Sequence, residues 1–224
     1  MTARRSALLG LVILSAIGCR GVPFREETLV PLVGVDPETV RERFALALPT
    51  AFRVVNTVTF EFRGHALAVI GYTQVDTSKR IFTVVGLHPA AGFKLFEVSG
   101  DSQSAEASYA VAALAEQGDI ARAIGDDTRR MYFDRLPSPD AVVSREKYRI
   151  LFRQPKGDGE LEFVFAGSEG ALVEKRYYEN GDIVWSVSYY EYRSENGNLF
   201  PGGIVFDHHE YGYRLLVRLR EILW

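Results

Sequence analysis

The most enzyme-like string in the chain is Asp207-His208-His209-Glu210, two imidazoles flanked by two carboxylates. Such residues hold metals or move protons, but neighbours on a strand point to opposite faces, so this pair is poorly placed to share an ion. Gly212 just beyond makes a solvated turn the expected setting. His65 sits beside the Arg63-Gly64 turn and His88 precedes Pro89, which puts both in loops rather than together. Asp126-Asp127, and Glu97 with Asp101, lack a spacing that would commend them as paired acids. No GxSxG elbow, HExxH helix or phosphate-cradling glycine loop occurs. No catalytic site, metal or cofactor is expected.

Cys19 offers chemistry of another kind. It is the one cysteine of the chain, so neither an internal disulfide nor a CxxC knuckle can form. Arg4-Arg5 and the uncharged run Ala7–Ile17 precede it, ending in Ala16-Ile17-Gly18-Cys19. Eleven helical residues rise only about 16 Å, too short for a hydrocarbon core of about 30 Å. The pattern is that of an export signal. Small residues before a lone thiol resemble a bacterial lipobox, with Ala16 where leucine is commoner; the alternative is an ordinary signal peptide with an incidental cysteine. Cleavage after residue 18 would remove Arg4 and Arg5 and no acid, moving the net charge from −3 to −5. Acylated at Cys19, the chain would sit on a membrane rather than span it. Lipoprotein sorting by resemblance makes the outer membrane the destination, since Arg20 is not an inner-membrane retention signal.

The rest of the chain must build a framework. With 26 basic against 29 acidic residues there is no excess positive field, and nucleic acid is not an expected partner. Residues 19–35 read as a lipidated tether and 36–224 as one domain. Asp36-Pro37-Glu38 opens a helix with Val40 and Phe44 on its apolar face, and Pro49 ends it. From Ala51 the period becomes two, and four strands follow to Val98 with short breaks, which requires antiparallel pairing. The stretch Leu67–Ile70 is apolar on both faces, so cover is expected on both sides of the sheet. Ala105–Glu116 and a second segment capped by Asp119 read as helices. Six further strands run from Tyr148 to Leu219. The expected fold is mainly β (α+β): a curled, half-open antiparallel barrel of about ten strands with helices plugging the concave face.

Leu87-His88-Pro89 with Gly92 and Leu95-Phe96, the insertion closing at Leu136-Pro137, and the run from Trp185 through Tyr189, Pro201 and Phe206 resemble the LolA/LolB superfamily. Their order over roughly residues 51–220 carries the resemblance, and the lipobox favours the LolB side. The resemblance implies an apolar cavity that takes acyl chains of lipids or lipoproteins facing the periplasm, without cofactor, with a soluble LolA-like carrier as partner. LolB carries a bulky apolar residue on the loop after its proline. Here Pro89 is followed by Ala90 and Ala91, which places the insertion step in question.

Face parity selects Val58, Phe60, Leu67, Val69, Phe82, Val84, Leu95, Phe163, Trp185 and Val187 as cavity residues; a slip of one residue moves a strand's contribution to the other face. Three functions stay open: an acyl carrier with a reachable cavity, a scaffold lipoprotein with a packed interior, and an enzyme acting on lipid intermediates through His208 or His209.

Overall fold

The computed structural model describes residues 21–116 and 118–223, so Cys19 and the export segment lie outside it. Helix α1 (Pro37–Ala47) starts where the capping residues require. Asp36 Oδ2 accepts from the Thr39 amide at 2.9 Å, and Pro37 occupies the first turn. The helix buries Val40 and Phe44, and the Phe44 ring meets the Phe165 ring edge-on at 5.4 Å.

Strands β1 (Ala51–Phe62), β2 (His65–Asp76), β3 (Ile81–Leu87) and β4 (Lys94–Gly100) form the expected meander. The next stretch departs from expectation. Ala105–Ala110 is strand β5 on the edge of β4, and only Ala112–Ala115 (α2) is helical. An isolated helix of that length is marginal, whereas the free edge of β4 satisfies a row of backbone groups at once. Helix α3 (Ile120–Tyr132) is capped as expected, with Asp119 Oδ1 accepting from the Arg122 amide at 2.9 Å.

Beyond it lie β6 (Val142–Arg145), β7 (Arg149–Lys156), β8 (Gly159–Ala166), β9 (Ala171–Glu179) and β10 (Asp182–Tyr190). A small ribbon of β11 (Arg193–Glu195) and β12 (Asn198–Phe200) precedes β13 (Gly203–His208) and β14 (Tyr213–Leu223).

One antiparallel sheet holds twelve strands in the order β5-β4-β3-β2-β1-β14-β13-β10-β9-β8-β7-β6. The count exceeds the expected ten because β5 and β6 add an edge strand at each end. Those edges do not pair with each other, so the sheet curls without closing. The C-terminal β14 joins the halves by pairing with both β1 and β13.

The core lies on the concave face, where Val54, Val75, Phe82, Phe163, Val187 and Phe206 are buried beneath α1 and α3. Helix α2 buries nothing. Cover on both sides, expected from Leu67–Ile70, is absent. On β2 and β3 the inward Val69, Thr73, Val75 and Phe82 are buried, while the outward Ala68, Ile70, Tyr72 and Val85 are not.

The stretch after Gly21 is laid against the sheet as a strap. Phe24 stacks on Tyr190 at 5.5 Å, lies beneath the Arg218 guanidinium and is only 7% exposed. Its ring occupies the space over Gly203, where a Cβ would stand 2.3 Å from it. Further along, the Leu32 amide donates to Lys147 O at 2.9 Å. Gly203→Ala is therefore expected to displace Phe24 at a cost of about 2 kcal/mol, the burial of one aromatic side chain. Hydrogen exchange should show residues 22–30 losing protection while β13 keeps its own.

Candidate functional site

Register decides which candidate residues share a face. Val58 pairs with Val69 and Phe60 with Leu67, and Val84 and Phe82 continue the same face on β3. Trp185 and Val187 lie opposite His208 and Phe206, and Phe163 opposite Lys175, on the concave side of the other half. Leu95 is different. Phe96 stands opposite Gly86 on the concave face, in step with Val98 opposite Val84, and Leu95 falls outside that inward row at the irregularity between Gly86 and Leu87.

These nine concave residues differ in cover. Val69, Phe82, Phe163, Trp185 and Val187 are buried in the core, and Val58 and Val84 are half-buried. Phe60 and Leu67, at the open end of β1 and β2, remain 38% and 50% exposed. Phe60 stands 5.4 Å from the Tyr213 ring and 6.3 Å from Phe62, so an aromatic and aliphatic strip lines this mouth. Deeper in, the space is filled. A cavity of about 20 Å³ between Phe52, Asn56, Tyr132, Arg135 and Leu219 has room for roughly one water and for nothing larger.

What fills the concavity is α3, held by polar groups that sequence reasoning missed. Lys175, 1% exposed, donates from Nζ to the carbonyls of Arg130 (2.6 Å), Phe133 (3.0 Å) and Asp134 (3.3 Å). It thus satisfies the C-terminal end of the helix, where orphan carbonyls and the negative end of the dipole favour a cation. Tyr189 Oη donates to Met131 O at 2.8 Å. One turn back, Tyr213 Oη bonds both carboxylate oxygens of Asp127 at 2.9 and 2.8 Å, and Arg130 Nη1 donates to Oδ1 at 3.2 Å. Charged residues of β9 alternate on both parities (Glu174, Lys175, Arg176), so no pattern marked Lys175 as the inward one.

The two histidines part as strand geometry requires. His208 points inward, 2% exposed, and stacks on Tyr211 at 4.4 Å with Nδ1 unpartnered among the described residues. His209 is exposed and shares a 3.1 Å hydrogen bond from Nε2 with Ser186 Oγ. The solvated turn expected here holds for His209 and Glu210 but not for His208. Among the described residues no three His, Cys, Asp or Glu side chains cluster as a metal site.

Burial pushes Asp127 up to about 6 against the Tyr213 and Arg130 bonds, and pushes His208 down to about 4, helped by Arg130 and His209. The folded state therefore binds the Asp127 proton more readily between about pH 4 and 6, so this group's stability contribution falls as pH rises. The unfolded chain binds the His208 proton more readily between about pH 4 and 6.5, so that contribution rises with pH. The two oppose each other. His208→Gln should leave stability falling across this window and Asp127→Asn should leave it rising. Each slope is at most about 1.4 kcal/mol per pH unit, measurable by urea denaturation at stepped pH.

Pro89, Ala90 and Ala91 form the exposed loop between β3 and β4. His88 Nδ1 accepts from the amides of Ala90 (3.3 Å) and Ala91 (3.1 Å), and its ring stacks on Phe93 at 5.0 Å. The bulky apolar side chain of this loop is Phe93, half exposed, rather than either alanine.

An open curled sheet whose concave side is stopped by helices is an architecture with known counterparts. A LolA superfamily protein from Nitrosomonas europaea superposes with a TM-score of 0.55 at 11% identity, over 84% of this chain and 93% of that one. The chain has the LolA fold. No family model and no curated protein matches the sequence.

Two further solved structures fall lower. An outer membrane lipoprotein-sorting protein domain from Vibrio parahaemolyticus gives 0.49 at 8% identity, over 83% and 90% of the two chains. A DUF1329 family protein from Desulfovibrio piger gives 0.49 at 7%, over 84% and 92%. At that score they add nothing to the fold assignment. Against the LolA fold, the concave residues acquire a shared setting: a half-barrel whose interior is occupied by α3 and whose mouth, at Phe60 and Leu67, is not.

Proposed function

We propose that the chain is a non-catalytic lipoprotein that takes an acyl chain on the open concave strip of Phe60 and Leu67, which half-buried Val58 and buried Val69 continue inward. In this reading residues 1–18 are removed and Cys19 is acylated. The protein then faces the periplasm from the outer membrane and receives or passes on hydrophobic cargo in a LolB-like manner, supplied by a LolA-like carrier. The observation that carries it is the exposure of Phe60 and Leu67 on the inward face of a LolA-fold sheet whose deeper inward residues Val69, Thr73 and Val75 are buried. An acyl chain of about 16 carbons offers roughly 12 kcal/mol of gross burial, and a bilayer offers nearly the same. Transfer is then close to neutral, and modest differences in fit set its direction.

A second reading is a scaffold lipoprotein of an envelope complex. The filled interior around Phe163, Phe165 and Val187 favours it, since among the described residues the cavity beside the end of α3 is only about 20 Å³. Titration with a fluorescent fatty-acyl probe separates the two. The carrier reading expects saturable one-to-one binding that Leu67→Asp weakens at least about tenfold, or about 1.4 kcal/mol. Absence of saturable binding, or binding indifferent to Leu67→Asp, would move the assignment to the scaffold.

A further inference from the structure

The convex face of the sheet has two characters. Across β1, β14, β13, β10, β9, β8 and β7 runs one cross-strand row of Glu61, Arg214, Asp207, Ser186, Arg176, Glu162 and Arg153. Its charges pair along the row: Arg214 with Asp207 at 2.6 Å, and Glu162 with Arg153 at 2.7 Å and Arg176 at 3.1 Å. The row is complete in itself: Glu162, fully buried, is held between the two arginines.

The convex face of β1, β2 and β3 is the opposite. Val55, Tyr72 and Val85 form one row there, and Thr57, Ile70 and Leu87 the next. No residue in either row is charged and none is buried, with Tyr72 42% exposed. A contiguous apolar surface of this kind on a sheet face marks a contact with something else.

The strap indicates what that is. Row by row, Tyr190 pairs with Gly203, Gly203 with Arg218, Arg218 with Thr57, Thr57 with Ile70 and Ile70 with Leu87. Arg218 Nη2 donates to the Pro23 carbonyl, and Phe24 is fixed over Gly203 in this same row. Strands stand about 4.8 Å apart, so Ile70 lies roughly 10 Å from the point where Arg218 holds the strap. Cys19 precedes Pro23 by four residues, which reach at most about 14 Å when extended. Cys19 is therefore confined to within about 14 Å of Pro23 beside this face, and the Phe24 clamp removes the slack a free tether would have. The two rows end on Glu97 and Lys94 at β4 and on Glu221 and Arg218 at β14, so charges of both signs rim the uncharged patch, and Arg220 donates from Nε to Thr57 Oγ1 at 2.7 Å.

We propose that the uncharged convex face of β1–β3 rests on a lipid surface, held against it by the short strap from Cys19. The inference rests on the acylation of Cys19 in the function proposed above. It adds that the protein lies on the bilayer by its convex side, with the open concave strip turned away toward incoming cargo.

The test uses the full chain, recovered from bacterial membranes and returned to vesicles of phosphatidylethanolamine and phosphatidylglycerol. Intact mass reports acylation of Cys19. Because the sequence has no other cysteine, Val85→Cys or Tyr72→Cys then supplies the sole free thiol for an environment-sensitive fluorophore. A nitroxide carried on the lipids should quench labels at 72 and 85 several-fold more than a label at Asp158, in the turn between β7 and β8. In the background Tyr72→Glu/Val85→Glu, both at unburied positions, a label at Ile81→Cys should lose its quenching while acylation persists. An acylated chain whose labels at 72 and 85 are quenched no more than that at 158 overturns the docking proposal and leaves the anchor standing. A free thiol at Cys19 overturns the anchored reading and the docking with it. If the face is protected instead in a dimer that forms in detergent without lipid, it is a surface for a second copy, and the proposal is wrong.

Discussion

Phe163→Ala is expected to lose about 3–5 kcal/mol of stability while leaving acyl-probe affinity unchanged, the reverse of Leu67→Asp. Phe163 is fully buried on β8, between Phe152 and Lys175 in the cross-strand row, beneath the C-terminal turn of α3. Deleting its ring opens a cavity that Lys175, fixed by three carbonyls, cannot collapse into. Leu67 is half exposed at the mouth, so Leu67→Asp removes little core packing and places a carboxylate where an acyl chain would lie. Urea denaturation and probe titration on both variants give a crossed result if the open strip is the site. Loss of binding in a Phe163→Ala chain that remains folded would instead place cargo deep in the half-barrel, with α3 displaced.

The second large effect is a pH signature. Burial pushes the Lys175 ammonium down to about 7, with Arg135 and Lys156 acting in the same direction and Asp134 against it. The unfolded lysine titrates near 10.5, so between about pH 7 and 10.5 the unfolded chain binds the proton that the folded chain has released. Stability from this group therefore rises with pH across that window. The expected gain from about pH 7 to 9.5 is at most about 3 kcal/mol, because the three carbonyl bonds favour the charged form and narrow the window. Lys175→Met should abolish that rise. It should also strand the carbonyls of Arg130, Phe133 and Asp134 and loosen the end of α3, seen as faster hydrogen exchange at residues 129–135. An unchanged pH profile in Lys175→Met would show that another group carries the titration.

Local rules made much of the fold legible. Asp36, Pro37 and Asp119 mark helix starts because caps are built from a few consecutive residues. The period-two runs mark the strands, and short polar breaks force antiparallel pairing. The same rules erred at Ala105–Ala110, where alanine content suggested a helix and the vacant edge of β4 made a strand. They erred again on Leu95, since β4 turns Val98 and Phe96 to the concave face and Leu95, one residue on, has the other parity. The candidate strip was legible in part. Alternation put Val58, Phe60, Leu67 and Val69 on one face, but alternation carries no information about which part of that face a helix covers.

The sequence by itself determined the alternation that makes a sheet two-faced and the caps that start its helices. Each depends only on neighbours a few positions apart. The tertiary structure alone decided that α3 fills the concavity through Lys175, Tyr189 and the Asp127–Tyr213 pair, contacts that join residues 41 to 86 positions apart. It also decided that one convex half carries a row of ion pairs and the other an uncharged stretch of β1–β3 beside the strap. Those distinctions arise from register and coverage, which are fixed only when all twelve strands have found their partners.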